Sequence, residues 1–238
     1  MNNNTFSIQQ LINNQIRKEN DTRGKKEQLG WYVSSLGSCL CGAYLNRMGL
    51  KPDEEFDDRT LRVFKVGKQT EDWIIDLIKK QEGYKALTQT LLTDDGLNLR
   101  GRYDLYLQNI ETGKELIYEI KSKHSRSFWY MNQKGEGAGE QHKMQLWTYL
   151  YLAKIEEGRI VYVSKDDLSI LEYPVFLKDE KLKEIVLDQI NILNEAWKSK
   201  IPPLPAPEKS WQAKYCGFHK QCIKQKDHLE RIPLFYKD

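Results

Sequence analysis

The stretch LNLRGRYDLYLQNIETGKELIYEIKSK, residues Leu97–Lys123, carries two β-prone runs around a turn. Apolar and polar residues alternate in both runs, and NIETGK between them has the Asn and Gly of a hairpin connection. Centring the turn between Glu111 and Thr112 sets Asp104 opposite Glu119, where the Cβ atoms of an antiparallel pair stand about 4.5–5.5 Å apart. Two carboxylates so placed repel each other unless a cation lies between them. Mg²⁺ suits the position, because it takes one or two carboxylates together with waters and phosphate oxygens. Lys121 falls on the same strand face as Glu119, while Leu116, Tyr118 and Ile120 pack the other. There Lys121 can orient water or stabilise charge on phosphorus. A register shift of one residue would undo the pairing. Glu and Lys are abundant, and Asp179-Glu180-Lys181 has the same spacing at a charged helix start. Glu119 and Lys121 alone therefore also read as a solvated sheet edge.

Outward from the hairpin, the chain alternates helical and strand-like texture. SIQQLINNQI suggests a helix, followed by a polar stretch through Gln28. A second helix fits Ser38 to Met48 and is stopped by Gly49; a long one runs from about Arg59 to Gln81, with Leu61, Phe64, Trp73, Ile74, Leu77 and Ile78 at mostly helical spacing. KALTQTLLT is strand-like, and TDDG marks the turn into the hairpin. The loop KGEGAGE precedes a helix over Glu140 to Glu156. RIVYVSKD and LSILEYPVF read as strands, and KDEKLKEIVLDQINILNEAWKS as an amphipathic helix. IPPLPAP is a stiff spacer. The expected architecture is α/β, a mixed sheet flanked by helices. Residues 1–200 form the main domain, and residues 201–238 are a spacer plus cysteine-containing module packed back on the N-terminal region.

The 238 residues, 39% hydrophobic and 30% charged, exclude collagen-like and disordered classes. No apolar run reaches the roughly 20 residues of a membrane span, and MNNNTFSIQQ lacks the apolar core of a signal peptide, so a cytoplasmic location and no membrane partner are expected. A net charge of +3 is too small to indicate nucleic acid without clustering.

Four short motifs in order resemble the PD-(D/E)XK nuclease superfamily, specifically its RecB-like branch. Gly67-Lys68-Gln69-Thr70-Glu71 resembles the first motif, a Gly followed four residues later by His or Glu. Gly101-Arg102-Tyr103-Asp104 resembles G-x-x-D, Glu119-Ile120-Lys121 resembles E-x-K, and Gln145 with Tyr149 matches Q-x-x-x-Y. The resemblance covers about Ser35 to Cys222. It implies a restriction-endonuclease-like fold and hydrolysis of DNA phosphodiesters with Mg²⁺ or Mn²⁺. It also implies metal ligation by Glu71, Asp104, Glu119 and the Ile120 carbonyl, with Lys121 orienting water and stabilising the transition state. Gln145 and Tyr149 share one helix face and would touch a DNA strand or support Lys121; His142, one turn earlier, is a further DNA or metal-water contact. Read alone, Tyr149 is equally a core aromatic and Glu71 an exposed acid.

Some RecB-like nucleases, AddB and the CRISPR-adaptation nucleases among them, carry a [4Fe–4S] cluster on one upstream Cys and three downstream in a C-x-x-C-x5-C arrangement. Cys39 resembles the upstream site, and Cys216 and Cys222 keep the C-x5-C spacing, but Ala213 stands where the first downstream Cys is expected. Cys41 offers a fourth thiolate, the number a cubane takes. Small buried apolar cysteines and a Zn²⁺ site using His219 are the alternatives.

The expected function is a metal-dependent DNA nuclease, an exonuclease on single strands or duplex ends, in recombination, repair or the processing of phage or other mobile elements. The sequence has no GxxxxGK[ST] P-loop, so unwinding would fall to a helicase or recombinase partner. The rivals are a catalytically silent DNA-binding module of the same fold and an Fe–S- or zinc-stabilised interaction protein.

Overall fold

The fold, a computed structural model describing residues 7–21 and 29–224, opens with helix α1 (Ile8–Asp21), strand β1 (Trp31–Tyr32) and a 3₁₀ turn at Val33–Ser35. Helices α2 (Leu40–Arg47) and α3 (Asp58–Ile78) follow, then strands β2 (Tyr84–Thr88), β3 (Leu91–Asp94), β4 (Leu99–Arg102), β5 (Leu105–Asn109) and β6 (Glu115–Lys123). Helices α4 (Ser125–Gln133) and α5 (Glu140–Ala153) lead to β7 (Glu157–Ser164), β8 (Ile170–Phe176) and α6 (Glu180–Ser199). Two short helices, α7 (Trp211–Lys214) and α8 (His219–Lys224), end the described chain.

The main sheet runs β2-β5-β6-β7-β8, antiparallel except for the parallel β6–β7 pair at its centre. A central strand covered on both faces carries few exposed residues: Ile117, Glu119 and Ile120 of β6 are all buried. Ile120 packs with Ile74 and Ile75 of α3, Leu105, Val161 and Val163. On the opposite side Ile117 joins Leu146, Trp147 and Leu150 of α5 in the larger core. The sheet is thus a mixed one flanked by helices, as the sequence texture indicates. No helix among the described residues is long and apolar enough to cross a membrane.

The hairpin register is the one expected: Leu105 faces Tyr118 and Tyr106 faces Ile117, which brings Asp104 level with Glu119. The run LNLRGRYDLYLQ, however, is not one strand. It divides at Tyr103-Asp104, because β4 pairs with β3 and, in parallel, with β1 in a separate three-stranded sheet, while β5 belongs to the main sheet. KALTQTLLT divides likewise, at Gln89, whose φ of 51° turns the chain from one sheet to the other. Helix α4 was not expected; the His124 side chain caps it by accepting the Arg126 amide, and Phe128 and Met131 supply its buried face.

Asp179 caps α6 by accepting the Leu182 amide at 3.0 Å, and Leu182, Val186, Ile190, Leu193 and Ala196 line its buried stripe. The Arg47 guanidinium of α2 lies 4.2 Å from both the Trp31 and Trp197 rings, tying α2, β1 and α6 together. Ala206 of the spacer and, beyond it, Ala213, Phe218 and Cys222 join the core of α2. The Asp53 amide donates to the Gly217 carbonyl, and Asp53 accepts from Lys220, both at 2.7 Å. The rest of the expected module, residues 225–238, and the polar residues 22–28 lie outside the described residues.

Candidate active site

The break between β4 and β5 sets Asp104 at the mouth of the sheet rather than within a strand. Its Oδ2 accepts the Ile120 amide at 2.8 Å, and its Oδ1 accepts from Gln89 Nε2 at 3.4 Å. The same Gln89 amide donates to Glu71 Oε1 at 3.0 Å, so one side chain spans two carboxylates on different elements. Glu71 projects from α3 and also accepts from Lys68 at 2.6 Å. Gly67, one turn earlier, lies so close to β6 that a Cβ there would stand 3.3 Å from Ser122 Oγ, which lets α3 approach the strand.

Glu119 is 1% exposed. Its Oε1 accepts from the Lys121 ammonium and, at 2.8 Å, from Gln145 Nε2. Its Oε2 is buried and has no hydrogen-bond partner among the described residues. An orphaned carboxylate oxygen of this kind is costly, and it is the expected mark of a site that takes a cation. Burial pushes the Glu119 carboxyl up to about 8, helped by Asp104. Burial raises Asp104 and Glu71 as well, and Asp104 adds to the rise at Glu71. Burial works to lower Lys121, but Glu119, Asp104 and Glu71 together hold it above its ordinary range.

Gln145 and Tyr149 share the buried face of α5, with the amide 3.5 Å from the phenol oxygen. Tyr149 packs over Gly101: a Cβ at residue 101 would lie 2.7 Å from Tyr149 Cε1 and 2.9 Å from Val33. Gly101 and Tyr149 thus belong to one contact that fixes the strand leading to Asp104. Tyr149 is a core aromatic that lies against the site, 2% exposed.

Of the residues expected to act together, Glu71, Asp104, Glu119, Lys121, Gln145 and Tyr149 converge. The Ile120 amide takes part by fixing Asp104. His142 stands aside, its Nδ1 2.6 Å from the Tyr162 hydroxyl; burial, then Lys121 and Lys123, hold it down to about 3. Sequence reasoning missed Gln89, whose only signal is a polar interruption of an apolar run, and Lys68, three residues before Glu71 on the same helix.

A second cluster lies behind α2. The Sγ atoms of Cys39, Cys216 and Cys222 lie within 4.8 Å of one another, and among the described residues they form the set of three such ligand groups that comes so close. The three carboxylates of the first site are not drawn together to that degree. Cys39 stands at the N-terminal end of α2 and accepts the Ala206 amide at 3.5 Å; hydrogen bonds from Cys216 and Cys222 hold it well below the usual thiol range. Cys222 is raised by Cys216, then Cys39 and Cys41. Cys41, on the first turn of α2, therefore reaches Cys222 but lies outside the trio. Gly42 leaves room for Cys216, whose Sγ would be 2.7 Å from a Cβ. Ala213 is buried in the same core.

The fold is the mixed sheet flanked by helices that the resemblance to the PD-(D/E)XK nucleases implies, and the residues of the four motifs converge in it. It is 30% identical over 124 residues to the CRISPR-associated exonuclease Cas4 of Saccharolobus solfataricus; the match covers 52% of this chain and about half, 52%, of that relative's length. The crystal structure of SSO0001 superposes with a TM-score of 0.57 and 23% identity over 91% of this chain and 96% of the other. The alkaline exonuclease LHK-Exo from Laribacter hongkongensis gives a TM-score of 0.55 and 10% identity over 73% of this chain and 90% of its own. No protein-family model matches the chain.

Proposed function

We propose that the chain is a metal-dependent deoxyribonuclease, an exonuclease that hydrolyses phosphodiesters of single strands or duplex ends. The observation that carries this reading is the buried, unpartnered Oε2 of Glu119 beside Lys121 and level with Asp104. The donor set is oxygen-rich and anionic, which fits Mg²⁺ or Mn²⁺, held by Glu71, Asp104, Glu119 and the Ile120 carbonyl. The chemistry such an ion supplies when bound is polarisation of the phosphodiester and acidification of water.

The protein's own groups do the rest. Gln145 and Lys121 fix the Glu119 carboxylate, and the Ile120 amide fixes Asp104, so both acids are oriented before substrate arrives. Lys121, positively charged at neutral pH, leaves Glu119 for a phosphate oxygen and stabilises negative charge as it develops there. Gln89 and Lys68 hold Glu71 at the outer edge. The names of the relatives, two of them exonucleases, support the class of reaction. Unwinding, and the choice among recombination, repair and mobile-element processing, would rest with a helicase or recombinase partner.

The test is cleavage of end-labelled single- and double-stranded DNA with Mg²⁺, with Mn²⁺ and with EDTA, beside a Lys121→Ala variant. Metal-dependent loss of label by the wild type alone is expected. Wild type and variant leaving the DNA equally intact would sink the reading.

The thiol trio is read as a second, structural centre that staples residues 201–224 to α2. Three mutually close sulfurs suit a thiophilic metal, and Cys41 beside Cys222 completes four thiols for an iron–sulfur cluster. A brown protein with iron and sulfide in equal amounts after anaerobic purification is expected; zinc in place of iron would make the centre a Zn²⁺ site, and neither metal would make the cysteines core residues.

A further inference from the structure

Beside the C-terminal end of β6 a cavity of about 370 Å³ opens between the strand, α4 and the loop that follows it. Lys123, Ser127, Tyr130, Met131 and Glu136 line it, with the backbone at Gly137 and Gly139. The active-site hairpin leads straight into it: Glu119, Lys121 and Lys123 are spaced by two along one strand and so share a face. Two residues of a pleated strand span about 6.7 Å, close to the separation of neighbouring phosphates along a nucleic-acid strand.

The two lysines are partnered differently. Lys121 is paired with Glu119, whereas the Lys123 ammonium rests 5.4 Å from the Tyr162 ring centroid, on an aromatic floor that Tyr162 shares with His142. Around Tyr130 further cations gather, with Lys134 4.9 Å and Arg126 5.9 Å from its ring. Cations along a groove that also presents an aromatic ring are the elements by which proteins hold single strands, the charge tracking the backbone and the ring stacking on a base. Glu136 is the one acid among the lining residues. Gly135 and Gly137, with φ of 65° and 69°, let the loop turn tightly enough to leave the cavity open.

We infer that this cavity seats the nucleotide next to the scissile phosphate of a single-stranded DNA end, with Lys123 on its phosphate and Tyr130 stacked on its base. The inference rests on the reading of the acidic site as a DNA nuclease. It assigns α4 and the following loop a role in choosing unpaired over paired ends, because a base within a duplex stack has no free face to offer Tyr130.

The experiment is fluorescence anisotropy of a labelled oligo(dT) strand and of a blunt duplex in EDTA, where binding is read without cleavage. Tyr130→Ala should weaken oligo(dT) binding roughly tenfold, the range for loss of one stacked base, and Tyr130→Phe should restore it. Lys123→Ala should weaken it too and lower the slope of log K against log salt by about one phosphate's worth. Blunt-duplex binding should change little in any variant. Tyr130→Ala binding within twofold of wild type, failure of Tyr130→Phe to restore binding, or no binding of oligo(dT) by the wild type each overturns the inference. Cleavage with Mg²⁺ is scored separately: binding with the expected pattern but no cleavage removes the nuclease reading alone, and cleavage with unaltered variant binding removes the cavity alone.

Discussion

Asp104 accepts the main-chain amide of Ile120 at 2.8 Å, so the acid of one strand is fixed by the backbone lying between Glu119 and Lys121 of the next. An Asn at residue 104 keeps an acceptor for that amide and loses the charge together with the long 3.4 Å contact from Gln89. Asp104→Asn should therefore retain the wild-type thermal transition within a few degrees while DNA cleavage falls by about 10²-fold or more, the scale for losing one preorganised electrostatic group. A large drop in stability would mean that the carboxylate is structural.

Gln145 acts through Glu119, whose Oε1 it holds at 2.8 Å. In Gln145→Ala, Lys121 becomes the only side-chain partner of that oxygen among the described residues, and the carboxylate is free to turn. The variant should lose about tenfold to a hundredfold in kcat with KM for DNA little changed, since a misplaced group costs rate more than binding. Glutamate at 145, which cannot donate, should be no better than alanine. A KM effect without a kcat effect would place Gln145 on the DNA instead.

Burial raises the Glu119 carboxyl from its ordinary 4.5 to about 8, so in the metal-free protein the fold favours its protonated form. The associated stability is complete below the ordinary value and is lost as pH rises through about 8. Glu71 and Asp104, also raised, act in the same direction. His142, lowered to about 3, acts in the opposite direction, but only below its ordinary 6.5. Cys39, held below the usual thiol range, works against this between pH of about 6.5 and 8, so the contribution of Glu119 is read as a difference: over that range the melting temperature of EDTA-treated Glu119→Gln should climb relative to that of the wild type as pH rises. Added Mg²⁺ should stabilise most at the upper end of that range, because it competes with the proton for the same oxygens.

Gly101 has Tyr149 and Val33 within 3 Å of where a Cβ would stand. Neither neighbour is a loose side-chain end, as both are buried. Gly101→Ala should cost about 1–3 kcal/mol in denaturant unfolding, the scale of overpacking in a core, and should lower cleavage by displacing the strand before Asp104. An unchanged midpoint would show that β4 can shift without cost.

The cysteines divide by position. Cys39→Ser, Cys216→Ser and Cys222→Ser should each abolish metal retention, read by elemental analysis, and should lower the melting temperature by loosening the terminal segment from α2. If all three serine variants keep the wild-type metal content and melting temperature, the trio is an ordinary part of the core.

Much of this architecture is legible in the chain itself. The turn NIETGK fixes the hairpin register, and register fixes faces, so the pairing of Asp104 with Glu119 follows from local rules that need no distant contact. Gln145 and Tyr149 are readable for the same reason, since helical periodicity places i and i+4 side by side. What local rules cannot supply is which strands exchange partners. The breaks at Gln89 and at Tyr103-Asp104 exist because β3 and β4 leave the main sheet to pair with β1, a choice made between segments far apart in sequence. Those breaks put Gln89 between Glu71 and Asp104. Only packing left Glu119 with an unpartnered buried oxygen, gathered Cys39, Cys216 and Cys222 while Cys41 stayed at the side, and opened a cavity at Lys123. The sequence alone determined the acids, the lysine and their common face; the tertiary structure decided their burial, and burial gives them their unusual proton affinities, because charge removed from water must be met by a proton or a partner.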